Sequence, residues 1–353
     1  MVVLIRSLVC TLLVAGVALS QEAAQQPFRT GVKVVVAPAV VTDRQGNYVN
    51  GLQQQDFQLT DNDKPQNIKV DVTYVPISLV VAVQANSTAD PVLPQVRKIG
   101  PLFQGLVTGD QGEVAVVCFD HRIQVLQEFT SDTAKISAGL DRLRAGSTTA
   151  RMNDAVVEAA RMLRTRPESH RRILLLISET QDRGSSGKVR DALTDLQLNN
   201  ISVYSVNINR VINSFLVKQQ PPRPDPMPPG ARPLPAGVPP TPENAAQVYG
   251  NPRNSANFIP LFVDIFKQAK AIFVDNPVEV YTKFSGGKEH SFVTQKDLER
   301  AIGAIGDELH SEYLLTYTPT NKDEGGFHDI VVTVNRPGAK VRTRPGYWVA
   351  AQF

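Results

Sequence analysis

Four short runs of almost unbroken apolar residues constrain the fold of this 353-residue chain more than any other feature: Ile77 to Val83, Val114 to Phe119, Ile173 to Ile177 and Ile201 to Val206. A strand that is apolar at every position has no face for water, so each must lie inside a sheet covered on both sides. Between them the apolar spacing changes to three and four. Leu93, Val96, Ile99 and Leu102 share one helical face, as do Ile136, Leu140 and Leu143. Ala155, Val156, Ala159, Ala160 and Leu163 make another, and Val189, Leu193 and Leu196 a fourth. Buried strand alternating with amphipathic helix predicts an α/β fold: a doubly wound, largely parallel sheet with right-handed crossovers.

The flanks read differently. From Val32 to Val75 short strand-like runs are separated by turns at Arg44-Gln45-Gly46-Asn47 and Asp61-Asn62-Asp63-Lys64-Pro65. Four strands are too few to close a stable sandwich. Strand character returns at Tyr313 to Tyr317, Asp329 to Val334, Val341 to Thr343 and Tyr347 to Val349. Strand counting therefore predicts one smaller β-sandwich, built from residues 21–75 and 311–353, with the α/β domain of residues 76–310 inserted in it. Within that domain, Asn276-Pro277 reads as a helix cap and Thr294 to Asp297 as a capping box.

Residues 1–20 carry Arg6, an apolar stretch from Leu8 to Leu19, and small residues at Ala18 and Ser20. This pattern predicts a signal peptide cleaved after Ser20, and hence a secreted or periplasmic protein with no membrane span after cleavage; the alternative is an uncleaved anchor. Of the two cysteines only Cys118 would remain, as a buried small hydrophobe that cannot form an internal disulfide. Residues 219–242 hold Pro221-Pro222, Pro228-Pro229 and Pro239-Pro240 with almost no large apolar residue, which predicts an exposed, extended loop. Residues 258–273 are helical in pattern.

Several function classes find no support. A formal charge of +3 and the absence of a long basic run argue against a nucleic-acid partner. There is no Gly-x-Ser-x-Gly elbow, no His-Glu-x-x-His helix and no phosphate-binding Gly-x-x-x-x-Gly-Lys loop, so no enzyme is predicted and no catalytic residue is assigned. Gly184-Ser185-Ser186-Gly187-Lys188 has the wrong glycine spacing for phosphate and reads as a helix-opening loop. His121 and His170 read as turn and surface residues, while Asp154 and Asp182 read as capping or solvated acids.

Open parallel sheets meet ligands at the carboxyl ends of their strands. Three loops there are informative: Gln84-Ala85-Asn86-Ser87-Thr88, Gly146-Ser147-Thr148-Thr149, and Ser178-Glu179-Thr180 with Asp182 behind it. With the strand pattern, these loops resemble the von Willebrand factor A domain, a Rossmann-like fold. In that family an Asp-x-Ser-x-Ser loop, a threonine and a later aspartate build a metal-ion-dependent adhesion site. Asp43-Arg44-Gln45-Gly46, Gly51-Leu52 and Asp56-Phe57 before the domain are similar to a secreted subgroup described in Acidobacteria. Tyr313-Leu314-Leu315-Thr316-Tyr317-Thr318-Pro319 and Arg344-Pro345-Gly346-Tyr347 after it are similar as well.

The chain departs from the family at the metal site itself. Gln84 stands where the motif begins with aspartate, Asn86 and Thr88 replace its two serines, and Glu179 replaces the later aspartate; the threonine is Thr148 or Thr149. Magnesium prefers hard oxygens including one or two carboxylates. The resemblance thus implies a degenerate adhesion site, with weak or absent binding of Mg2+, Mn2+ or Ca2+ through Asn86, Thr88, Thr149 and Glu179. The function expected is an exported, adhesion-type module binding a protein ligand at Gln84, Asn86, Thr88, Thr148, Thr149 and Glu179. The alternatives are an envelope or extracellular scaffold working through the sandwich or the proline-rich loop, and a hydrolase whose site has no known motif.

Overall fold

The computed structural model describes residues 34–71, 75–208, 276–321 and 324–349. The signal segment 1–20, the proline-rich loop 219–242 and the helical pattern of 258–273 lie outside the described residues.

The α/β part is a six-stranded sheet. Its strands are β5 (Ile77–Gln84), β6 (Glu113–Phe119), β7 (Ile123–Thr130), β8 (Arg171–Ser178), β9 (Ile201–Ile208) and β10 (Glu289–Phe292). The order is β10-β9-β8-β5-β6-β7, parallel throughout except for the antiparallel edge strand β7. Every residue of β5 is buried, as its unbroken apolar run requires. The two edges, β7 and β10, were not legible as strands. Both are only half-buried, and their polar residues hide the strand period.

Helices cover both faces. Short helical turns over residues 93–108, α1 (Thr133–Asp141) and α5 (Gln295–Ser311) pack on one; α2 (Met152–Arg164), α3 (Val189–Leu198) and α4 (Pro277–Ser285) pack on the other. The face of α2 predicted from Ala155, Val156, Ala159, Ala160 and Leu163 is buried. The predicted caps form. Asn276 Oδ1 accepts from the Glu279 amide, and Thr294 and Asp297 close a reciprocal capping box before α5. Gly286 ends α4 in the left-handed region, at φ 90°.

The flanking strands form two four-stranded antiparallel sheets. One has the order β13-β1-β11-β4, from Lys340–Arg342, Val35–Thr42, Tyr313–Tyr317 and Ile68–Asp71; the other is β14-β12-β2-β3, from Gly346–Val349, Gly326–Val334, Phe57–Asp61 and Lys64–Pro65. Each sheet takes two strands from either side of the α/β segment, and they share one apolar core that includes Val35, Phe57, Leu59, Tyr313, Leu315 and Tyr347. β1 runs through Pro38 without a break. Pro38 pairs with Leu314 on one side, while β13 reaches only Val40–Thr42 on the other, so its missing N–H is tolerated there.

Candidate functional site

Two of the three loops singled out from the sequence leave the carboxyl ends of β5 and β8, the third (146–149) runs from α1 to α2 and packs against Asp120 at the end of β6, and backbone hydrogen bonds tie them into one platform. The Gly146 amide donates to the Ala85 carbonyl (2.7 Å) and the Ser87 amide to the Ser147 carbonyl (2.8 Å). The Ala150 and Arg183 backbones exchange a pair of bonds, joining the second loop to the third.

Gln84 is fully buried at the end of β5. Its Oε1 accepts the Glu179 amide at 2.9 Å, and its Nε2 donates to Asn86 Oδ1 at 2.9 Å. Asn86, also fully buried, is the centre of the cluster. Its Oδ1 accepts from Gln84 Nε2, from Thr88 Oγ1 (2.9 Å) and from the Ala89 amide (3.2 Å), while its Nδ2 donates to the Thr148 carbonyl at 3.3 Å. Thr148 thus joins through its backbone and leaves its side chain exposed. Thr149 is exposed too, and its hydroxyl pairs with that of Ser147 at 3.0 Å. Glu179 is 2 % exposed and is held to Gln84 through its amide. Gln84, Asn86, Thr88, Thr148 and Glu179 therefore form one connected group, with Thr149 beside it on the solvent side.

The donor chemistry of this group fits a divalent cation poorly. Asn86 Oδ1 already accepts three hydrogen bonds and has no lone pair left for a metal, and Gln84 Oε1 spends one of its two on the Glu179 amide. Glu179 is the one carboxylate in the group, and magnesium sites draw on such charged, hard ligands. An aspartate at position 84 would have no proton to give Asn86; the glutamine amide supplies it, and the loop closes on itself.

Residues that sequence reasoning did not assign to the site brace it. Asp120, at the end of β6, accepts the amides of Arg122 (2.7 Å) and Ser147 (3.0 Å) and the Nδ1 of His121 (2.8 Å). Burial works against its charge, but these three donors prevail and hold the carboxyl below the usual aspartate range. Gly146 must be glycine because a Cβ there would lie 2.0 Å from Asp120 Oδ2. The third loop is held the same way. Asp182 Oδ1 accepts the Asn153 amide at the start of α2, and Asp154 accepts the amides of Ser186 (2.9 Å) and Gly187 (2.7 Å) together with Arg151 Nε. Burial again opposes the charge of Asp154 and is outweighed. The glycine-serine loop 184–187 therefore spends its Ser186 and Gly187 amides on an internal carboxylate and not on a phosphate. Asp154 and Asp182 are structural, as expected from the sequence.

Two further histidines are engaged away from the platform, and the first departs from its sequence reading. His170 is no freely solvated surface group: its Nδ1 lies 2.9 Å from Ser78 Oγ, beside Glu113 and Arg166 at the opposite edge of the sheet. His328 is fully buried in the sandwich, between Asp61 (2.7 Å) and the Glu324 carbonyl (2.6 Å). Cys118 is buried as predicted, and burial pushes its thiol up to about 11.

A parallel sheet ending in three braced loops, beside an antiparallel sandwich, defines a von Willebrand factor A-like α/β fold. Residues 95–181 match the family model of the von Willebrand factor type A domain. The matched segment begins beyond Gln84, Asn86 and Thr88 and includes Thr148, Thr149 and Glu179. No curated protein matches the chain. Among solved structures, the chain is similar to the vWF domain of the type V pili tip protein Mfa5 from Porphyromonas gingivalis. That likeness has 18% identity and a TM-score of 0.27, over 31% of this chain and 40% of that one. It is also similar to an aerotolerance-related membrane protein from Bacteroides fragilis (14% identity, TM-score 0.38, 65% of this chain and 98% of that one). BatB from Bacteroides thetaiotaomicron gives the same identity, TM-score and coverage. The chain thus spans less than half of the Mfa5 structure it matches. No helix among the described residues is long and apolar enough to cross a membrane.

Proposed function

We propose that this chain is an exported, non-enzymatic protein-interaction module that recognises its ligand at the carboxyl edge of the parallel sheet, through a degenerate adhesion site that works without a bridging cation. The observation that carries this reading is the closed hydrogen-bond cluster of Gln84, Asn86, Thr88 and Glu179. It fixes the loops in the way a metal would otherwise fix them, and it leaves the hydroxyls of Ser147 and Thr149 at the surface. Export rests on the signal-like residues 1–20 and on the likeness of the flanks to the secreted subgroup. Such a platform is preorganised, so a partner loses little free energy in ordering it.

Calorimetric titration with Mg2+, Mn2+ and Ca2+ tests the metal-free part. No binding heat is expected from any of the three; heat that disappears in a Glu179→Ala variant would overturn it. The recognition part is tested with a photo-crosslinking residue at Thr149 in the full chain, in EDTA, compared with the same residue at Arg300 on α5. A protein cross-linked from position 149 and not from 300 is expected. Equal labelling from both, or none, removes this face from the proposal.

A further inference from the structure

The platform carries an uneven distribution of charge. Arg122 follows the Asp120 brace, Arg144 precedes Gly146, and Arg183 bridges to Ala150, so three arginines rise from three different loops bound into one surface. All three are exposed. Among the described residues none of them takes part in an ion pair, whereas the neighbouring Arg151 does, with Asp154. Arg144 spends one nitrogen, Nη1, on the carbonyls of Asp141 and Leu143. The acids of these loops are otherwise engaged: Asp120, Asp154 and Asp182 hold backbone amides, and Glu179 is buried. Asp90 and, at the end of α1, Asp141 are exposed carboxylates nearby; Arg144 meets Asp141 through its carbonyl and not its carboxylate. The same surface carries the paired hydroxyls of Ser147 and Thr149, on the loop that follows Arg144 and runs to the Ala150–Arg183 pairing, and hydroxyls donate as readily as they accept.

Resting on the proposed recognition role of this face, we infer that its ligand is an acidic segment of a partner protein, whose carboxylates are held directly by Arg122, Arg144 and Arg183. Guanidinium groups pair with carboxylates through two parallel hydrogen bonds, which supplies the charge that the neutral Gln84–Asn86 cluster lacks. A long uniform polyanion fits less well. The arginines stand on separate loops beside a neutral, hydroxyl-bearing cluster, and the sequence has no long basic run of the kind that follows a nucleic acid or a sulfated polysaccharide.

The test is fluorescence anisotropy with a fluorescein-labelled octa-glutamate peptide, in EDTA at low salt. Saturable binding is expected. The triple variant Arg122→Gln/Arg144→Gln/Arg183→Gln should weaken it by about tenfold or more, with an unchanged melting temperature. A control with the same charge change on α2 and α5, Arg161→Gln/Arg164→Gln/Arg300→Gln, should lose less than about twofold. Equal losses in both variants, no binding at all, or displacement of the peptide by less heparin or single-stranded DNA than unlabelled peptide would overturn the inference. Cross-linking from Thr149 separates the two levels. If it persists in the Arg122/Arg144/Arg183 variant, the acidic ligand is wrong and the recognition face stands; if it is absent from the unaltered chain, the face itself is wrong.

Discussion

Gln84 shows how one side chain sets the chemistry of the site. A carboxylate in its place could still accept the Glu179 amide, but it would turn an acceptor toward Asn86 Oδ1 where the native amide donates at 2.9 Å. Gln84→Glu keeps the shape and reverses that one interaction, at a position with no exposure to water. A buried charge facing an acceptor costs more than a lost neutral hydrogen bond, so a loss of about 3 kcal/mol is expected in thermal melts in EDTA. A melting temperature equal to that of the unaltered chain would show that the cluster is not closed as described. The residue types at this site were legible in the sequence because the loops follow recognisable buried strands. The direction of each hydrogen bond was not, since a glutamine offers a donor and an acceptor and only its neighbours decide which is used. The three surface arginines were illegible for a related reason: they are 22 and 39 residues apart in sequence, and only the loop pairing brings them to one face.

At the scale of elements, the platform depends on how the start of α2 is tied to loop 182–187. Asp154 lies in the first turn of α2 and accepts two amides from the loop, while Asp182 in the loop accepts one from α2, so each element caps the other. Asp154→Ala would leave the Ser186 and Gly187 amides without that acceptor, at a cost of about 2–3 kcal/mol, since hydrogen bonds to charged groups exceed neutral ones. Hydrogen exchange should quicken at residues 184–187 before it does in β8; uniform protection would contradict this. The same bonds give the pH dependence its sign. Asp120 and Asp154 have lowered folded values against about 3.9 in the unfolded chain. Their contribution is complete above that pH and is lost as pH falls through the lower folded values. Acid should therefore loosen the platform only below about pH 4, in a measurement of melting temperature against pH, and Asp154→Asn should flatten the decline.

Across the whole molecule, the two sides of the α/β segment meet at Asp61. Its carboxylate, at the end of β2, accepts Tyr317 Oη from β11 and Tyr347 Oη from β14 (2.8 Å each), Asn321 Nδ2 (3.0 Å) and His328 Nδ1 from β12 (2.7 Å). Asp61 is fully buried, so one N-terminal side chain satisfies donors from three C-terminal strands inside the sandwich. Beside it Arg344 stacks on Tyr347, and burial pushes its guanidinium down to about 10. The sandwich is in turn fastened to the α/β part. Arg342 donates to the Gly286 and Gly287 carbonyls and pairs with Glu308, and Gln197 Nε2 bridges the Phe284 and Gly346 carbonyls. These buried and part-buried links mean that neither part can open without breaking contacts to the other. Trp348 on β14 is the one tryptophan and reports on the sandwich, whereas far-ultraviolet circular dichroism is dominated by the helices that flank the six-stranded sheet. The two signals should therefore change together in urea, as one cooperative transition. Asp61→Ala removes the acceptor from four buried donors and should lower stability by about 3–5 kcal/mol while moving both curves by the same amount. If the tryptophan transition moved alone, the sandwich would be an appendage; coincident curves would make it the clamp that holds the recognition platform in one shape.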